Sequence, residues 1–347
     1  MPRVLVAGNM GYVGPAVVRH LRSVWPDSEI HGYDSAFFAH CLTDPAGLPE
    51  RVVTVQHFGD VRTIEPAFLE GFDVVVQLAA VSNDPMGKKF ESATMSINRD
   101  ASVALARAAA EAGVGAFVFA SSCSVYGVAA GGPRNEQDPV APETAYARSK
   151  VDTEVALAAL DSDMKITALR FATACGFSPR LRLDLVLNDF VAAALMNRKI
   201  VVLSDGSPWR PLIDVADMAR AIEWAIVRDP AEGGRMLVVN AGATDHNYQV
   251  RDLAAAVAAG VPGTEVLINS AAPVDSRSYQ VDFGLFERLA PDHRPRVDLA
   301  ESIRRLIEGT TAMGLSEPAQ IADYIRLKVL ERHIAAGRLT QTLEWID

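Results

Sequence analysis

Short apolar runs rich in β-branched residues alternate with alanine-rich stretches of helical period through the first half of the chain. Runs at 3–7, 29–33, 52–58, 73–78 and 116–120 have the length and composition of strands buried on both faces. Between them, 13–22, 64–69 and 94–112 carry apolar residues at the spacing of one helix face. This alternation predicts right-handed βαβ units, and so an α/β fold with a doubly wound parallel sheet covered by helices on both sides.

After a Gly/Pro-rich stretch at 129–142, a helix begins near Tyr146 and a strand covers 165–171. Beyond Gly176 the pattern changes. Residues 185–197 read as helix, 201–203 as extended, 215–227 as helix, and 238–240 as a strand returning to the large sheet. The stretches 275–282 and 299–308 suit a smaller mixed α/β lobe. The expected organisation is therefore 1–175 as the large lobe, with about 212–242 returning to it. Residues 176–310 form the second lobe and 311–347 a C-terminal helical extension. Within that extension Ile321, Ile325, Val329 and Ile334 share helical spacing, which predicts a helix packed on the body or on a second subunit.

A length of 347 residues is ample for one large domain with a smaller partner. The net charge of −10 argues against nucleic acid or an anionic membrane as partner. Cys41, Cys123 and Cys175 are odd in number and far apart, unlike a disulfide framework. The seven histidines show no ligand spacing, so no metal is expected. No opening stretch reads as a signal peptide and no apolar run is long enough to span a bilayer, which predicts a cytoplasmic protein.

Two patches carry chemistry. The first is Gly8-Asn9-Met10-Gly11-Tyr12-Val13-Gly14, directly after the first strand. A dinucleotide's diphosphate needs close backbone N–H groups and the positive end of a helix dipole. Gly8 permits the tight turn, Gly11 removes a blocking side chain, and Gly14 lets helix and sheet approach. About 20 residues on, as the Rossmann-type pattern requires, Asp34 ends the second strand. Its carboxylate suits a ribose hydroxyl and repels a 2′-phosphate. With no arginine in 35–40, NAD is expected rather than NADP. Asp60 and Val61 follow the third strand, where adenine would rest, and small Ala79 and Ala80 follow Leu78 at the end of the fourth.

The second patch is Tyr146-Ala147-Arg148-Ser149-Lys150, with Ser121-Ser122 upstream. Tyr146 and Lys150 stand one helical turn apart and share a face. A free phenol titrates near 10, too high for an efficient base at neutral pH. A nearby ammonium and a cationic nicotinamide would lower it. Ser122 is placed to hydrogen-bond the same substrate oxygen.

From about residue 3 to 306 the chain resembles the extended short-chain dehydrogenase/reductases, in the branch acting on nucleotide sugars. The segment Phe117-Val118-Phe119-Ala120-Ser121-Ser122-Cys123-Ser124-Val125-Tyr126-Gly127 is similar to the one bearing that branch's catalytic Ser or Thr. The resemblance puts that role on Ser122 and a cofactor contact on Asn98. Leu169-Arg170-Phe171 with Gly176 resembles the strand leaving the nucleotide lobe. Trp209-Arg210-Pro211-Leu212-Ile213-Asp214-Val215 resembles another family segment, with Pro211 and Asp214 replacing its usual Asp and His. The resemblance further implies a homodimer paired through the helix of Tyr146 and the helix at 94–112.

The branch's 4,6-dehydratases carry Asp-Glu after the catalytic residue, where this chain has Cys123 and Ser124. Dehydration and decarboxylation are disfavoured on that ground. A C4 epimerase needs only Ser122, Tyr146, Lys150 and held NAD, and is the leading expectation. A nucleotide-sugar 4-ketoreductase or dehydrogenase needs the same residues and remains open. A non-catalytic dinucleotide-binding protein is disfavoured because both Tyr146 and Lys150 are present. On the substrate side, Arg180, Arg182, Arg210 and Arg277 could meet a nucleotide diphosphate by charge. Ser124 is a further candidate substrate contact, and Thr173 stands where sugar epimerases often keep an asparagine. The Asn83-Asp84-Pro85-Met86 loop could close over a sugar or be a plain surface loop.

Overall fold

The computed structural model describes residues 1–346 apart from 129–130, 270, 272–277 and 316–317. Its strands are β1 (Arg3–Ala7), β2 (Glu29–Asp34), β3 (Val55–Phe58), β4 (Val74–Gln77), β5 (Ala116–Ser122), β6 (Lys165–Phe171), β7 (Thr173–Cys175), β8 (Lys199–Val202), β9 (Trp209–Asp214), β10 (Met236–Ala241), β11 (Asn247–Gln249) and β12 (Glu265–Ile268). The helices are α1 (Gly14–Val24), α2 (Asp84–Lys89), α3 (Glu91–Thr94), α4 (Ser102–Glu111), α5 (Ala145–Ala158), α6 (Val186–Asn197), α7 (Val215–Val227), α8 (Val250–Gly260), α9 (Gly284–Leu289), α10 (Leu299–Ala312), α11 (Pro318–Ile321) and α12 (Arg326–Ala335).

Seven strands form one parallel sheet in the order β10-β6-β5-β4-β1-β2-β3. The order reverses beside β1, so the ends of β1 and β4 open a crevice where α/β sheets take ligands. Val4, Leu5, Val6 and Val75 are fully buried, as a sheet covered on both faces demands. One apolar core lies on the α1 and α7 side and a second on the α4 side. β10 pairs with β6 through Met236–Ala241, so this late segment does return to the large sheet. A three-stranded sheet, β11-β9-β7, and the pair β12-β8 stand apart from the large sheet, and α6 packs on α8 and α10.

Caps explain several boundaries. Thr144 accepts the Ala147 amide and starts α5, while Asp214 accepts the Ala216 amide and starts α7. Asp214 also accepts from the Ser302 hydroxyl at 2.6 Å, so the residue at the departed family position joins α7 to α10.

Four expected elements differ, one of them the C-terminal helix of Ile321, Ile325, Val329 and Ile334, which is split into α11, a 3₁₀ turn at Ala322–Tyr324 and α12. The strand placed at 52–58 begins only at Val55, because Pro49–Val52 is a 3₁₀ turn with proline at its start. The helix expected at 64–69 is a four-residue 3₁₀ turn, Pro66–Leu69, and Gly71 at φ 78° follows it. The helix at 94–112 is interrupted by a wide π turn over Met95–Ala101, which carries Asn98 inward.

Candidate active site

A cavity of about 740 Å³ lies at the C-terminal ends of the sheet strands. Its floor is the turn from β1 into α1. Gly8 has φ 90°, and a Cβ there would come 2.5 Å from the Ala79 amide nitrogen. At Gly14 a Cβ would meet the Asn9 carbonyl oxygen at 2.2 Å, so α1 can enter this close only without a side chain. Gly8, Gly11, Tyr12, Val13 and Gly14 all face the cavity. The Tyr12 phenol donates to the Gly176 carbonyl at 2.6 Å and accepts from Asn188, fastening this turn to the second lobe.

Asp34 ends β2, where one carboxylate oxygen accepts the Met10 amide at 2.9 Å and the other the Ala36 amide at 2.8 Å. Burial raises its pKa above the usual carboxylate range, against the pull of those amides. Each oxygen keeps a second lone pair for a ribose hydroxyl. Leu78 and Ala80 line the cavity, whereas Ala79 stands behind them against Gly8. Asp60 and Val61 lie outside it. The Asp60 carboxylate accepts a fork from Arg62, at 2.9 Å from Nε, and Val61 is buried.

Ser122, Tyr146 and Lys150 come together on the opposite wall. The Ser122 side chain faces the Tyr146 phenol and accepts the Ser124 amide at 3.2 Å. The Lys150 ammonium donates to the Ala120 carbonyl at 2.6 Å and lies 5.6 Å from the Tyr146 ring centre. Burial dominates both groups. It pushes Tyr146 up to about 12, partly offset by Ser122, and Lys150 down to about 7. The lowered tyrosine pKa expected from the sequence is thus not a property of the protein's own groups. The phenol rests as an acid.

Behind this wall a buried polar network sets the geometry. Arg170 on β6 forks onto Glu154 of α5, with Nη2 2.7 Å from Oε2. Ser121 donates to the same carboxylate, and Arg170 also donates to the Tyr126 hydroxyl at 3.0 Å. That hydroxyl donates to Asn240 on β10 at 2.8 Å. The network therefore ties α5 to β5, β6 and β10 directly beneath Ser122 and Lys150.

Two further sequence expectations are corrected. Asn98 is wholly buried rather than in contact with the cavity. Its amide accepts from the Val81 N–H at 2.8 Å and donates to the Val81 carbonyl and the Ser149 hydroxyl, which fixes the β4 loop against α5. Arg180 is 1% exposed and also lies off the cavity. Its guanidinium pairs with Glu50 at 2.7 Å and donates to the Ala39 carbonyl, so it joins the lobes instead of facing a ligand. Arg277 lies outside the described residues.

Ser124, Thr173, Arg182 and Arg210 do line the cavity. The Ser124 hydroxyl is buried there without a partner among the described residues. Arg182 is held by Asp184 at 2.9 Å and donates to Ser82 at 2.8 Å, and Thr173 faces Tyr279. The sequence reading missed Tyr279, Phe38, Asp184 and Arg326 as cavity residues. Asp84, from the loop already singled out, is also there, holding the Thr144 hydroxyl at 2.8 Å. Cys123 faces away, fully buried, with its thiol on the Arg170 carbonyl.

Residues 4–242 match the model of the NAD dependent epimerase/dehydratase family. The chain belongs to this family, and NAD is its cofactor. Other members differ in activity. The dTDP-glucose 4,6-dehydratase of Streptomyces griseus is 26% identical over 86% of this chain and 91% of its own. Among solved structures, MoeE5 in complex with UDP-glucose and NAD is 28% identical with a TM-score of 0.74, covering 89% of this chain and 98% of that one. UDP-glucose-4-epimerase from Stenotrophomonas maltophila, with bound NAD and formylated UDP-arabinopyranose, is 25% identical with a TM-score of 0.77, covering 90% and 99%. The glycine cradle of this family member fits a dinucleotide. Among its described residues there is no metal-ligating cluster and no helix long and apolar enough to cross a membrane.

Proposed function

We propose that the protein is an NAD-dependent C4 epimerase of a nucleotide-diphosphate sugar. The observation that carries this reading is the neighbourhood of Ser122. Cys123 is sealed beneath the sheet and Ser124 is only a hydroxyl, so no carboxylate follows Ser122 in the wall. Ser122 would hold the sugar O4 in line with the Tyr146 phenol. Tyr146 would take the O4 proton as the 4-keto sugar forms and return it after the sugar has turned. Bound NAD, held by the glycine turn and Asp34, would supply the hydride acceptor and donor that the side chains lack. Its positive charge also favours phenolate, against the burial that holds Tyr146 up at about 12. Lys150 would hold the nicotinamide ribose, and its ammonium would add to that field.

The backbone turn Gly11–Val13 and the α1 N-terminus suit the cofactor diphosphate. Asp34 suits its adenosine ribose. Arg182, Arg210 and Arg277 are the candidates for the substrate's diphosphate, and Ser124, Thr173 and Tyr279 for its sugar. The exposed Val201 and Leu203 edge of the cavity offers an apolar seat for the nucleotide base. Val155, 64% exposed on α5, fits a self-contact, and light scattering at twice the chain mass of 37.3 kDa would support a homodimer.

The dehydratase relatives and Asp84 favour a second reading, 4,6-dehydration, with Asp84 serving the elimination. Incubation with UDP-, dTDP-, GDP- and CDP-sugars separates the two. The epimerase reading expects a product of unchanged mass without net NADH. A product lighter by one water would replace it with dehydration, and stoichiometric NADH formation with a dehydrogenase.

A further inference from the structure

The C-terminal segment beyond the family match packs on the loop that follows Asp34. The Trp345 indole donates to the Ser35 carbonyl at 2.6 Å, His333 meets the Phe37 carbonyl at 3.0 Å, and the Tyr324 phenol donates to the Leu42 carbonyl at 2.8 Å. At the start of α12, Arg326 is 1% exposed and lines the same cavity as the glycine turn. Its guanidinium lies 4.6 Å from the Phe38 ring centre, and Nη2 donates to the Arg180 carbonyl at 2.8 Å. Nη1 is buried with no hydrogen-bond partner among the described residues.

A buried guanidinium N–H without an acceptor is costly, because it has lost water and gained nothing in return. The arginines beside it each have a carboxylate in salt-bridge contact, although Arg180 Nε is also without a partner among the described residues. Arg182 is matched by Asp184 and Arg180 by Glu50. Burial depresses the Arg326 pKa to about 10, and the repulsion from Arg182 and Arg180 is offset in part by Cys41 and Asp184. A bound anion would relieve both the missing acceptor and the repulsion. Within this cavity the Gly8–Gly14 turn and the α1 N-terminus suit an anion, the dinucleotide diphosphate. The adenosine 2′ position is a poorer match, since Asp34 would repel a phosphate there.

We propose that Arg326 donates from Nη1 to the cofactor diphosphate, so that the C-terminal extension forms part of the NAD site. This rests on NAD binding and not on which sugar reaction follows, so it survives if the epimerase reading fails.

The test is equilibrium binding of NAD, NADP, ADP-ribose and adenosine to the unaltered chain, Arg326→Met and Arg326→Lys, with thermal melting of each in parallel. Arg326→Met is expected to weaken NAD and ADP-ribose alike by about tenfold, the scale of one charge-assisted hydrogen bond, with adenosine unchanged. Arg326→Lys keeps a charge but cannot serve both acceptors, and is expected to weaken NAD by about threefold. This second variant decides the matter if the first fails to fold. Unchanged NAD affinity in a folded variant would overturn the proposal. So would an equal loss for adenosine, which would mean that Arg326 only braces the Phe38 loop, or a loss confined to NADP.

Discussion

The Lys150 ammonium lies 5.6 Å from the centre of the Tyr146 ring, and burial moves the two groups toward their neutral forms from opposite sides. Lysine falls from 10.5 to about 7 and tyrosine rises from 10.0 to about 12. Between about pH 7 and 10.5 the unfolded chain holds a proton on this lysine that the folded chain has released. Stability therefore rises with pH in that window, by at most about 1.4 kcal/mol per pH unit from this one group. From pH 10 to 12 the unfolded chain releases the phenol proton first, and Tyr146 makes stability fall. Denaturant titrations of the ligand-free protein from pH 6 to 9 should show the rise, and Lys150→Met should flatten it.

Tyr146→Phe keeps the ring and removes the proton carrier that Ser122 touches. Turnover should fall by about 10²–10⁴-fold, the usual worth of a positioned acid/base. NAD affinity and melting temperature should stay close to those of the unaltered chain. Turnover retained in this variant would remove the phenol from the chemistry.

Arg180→Met separates a lobe-joining role from substrate binding. It leaves Glu50 without its partner in a site where the arginine is 1% exposed, and should cost roughly 3–5 kcal/mol of unfolding free energy. KM for the nucleotide sugar should hardly move. A large rise in KM with stability unchanged would restore the role expected from charge alone.

Much of the fold was legible before any coordinates. The strand at 165–171 and the helix at 215–227 appear with the expected bounds, because β-branched runs and helical spacing are local signals. The glycine turn, Ser122, Tyr146 and Lys150 were legible for the same reason: each lies in one strand-and-helix unit, β1–α1 or β5–α5. What stayed hidden depends on partners far along the chain. Glu50 stands 130 residues from Arg180, so sequence shows an arginine but not its ion pair. The inward turn of Asn98 comes from a π segment that apolar spacing cannot distinguish from an α-helix. Arg326 was overlooked because only the chain's return to the Phe38 loop brings it to the cavity.

Asp34→Asn tests the cofactor preference. It keeps the side-chain size but turns one acceptor for the Met10 and Ala36 amides into a donor. Titration should show NAD binding weakened by about tenfold, one good hydrogen bond to a charged group. The disadvantage of NADP should shrink, because the repelling charge is gone. An unchanged NAD-to-NADP ratio would take Asp34 out of ribose recognition.

The most direct measurement places a single deuterium at C4 of the nucleotide sugar that the protein turns over and follows it by NMR. The epimerase account predicts a C4 epimer of unchanged mass that keeps the deuterium at C4, with none lost to solvent. Deuterium found at C6 in a product that has lost water would contradict it.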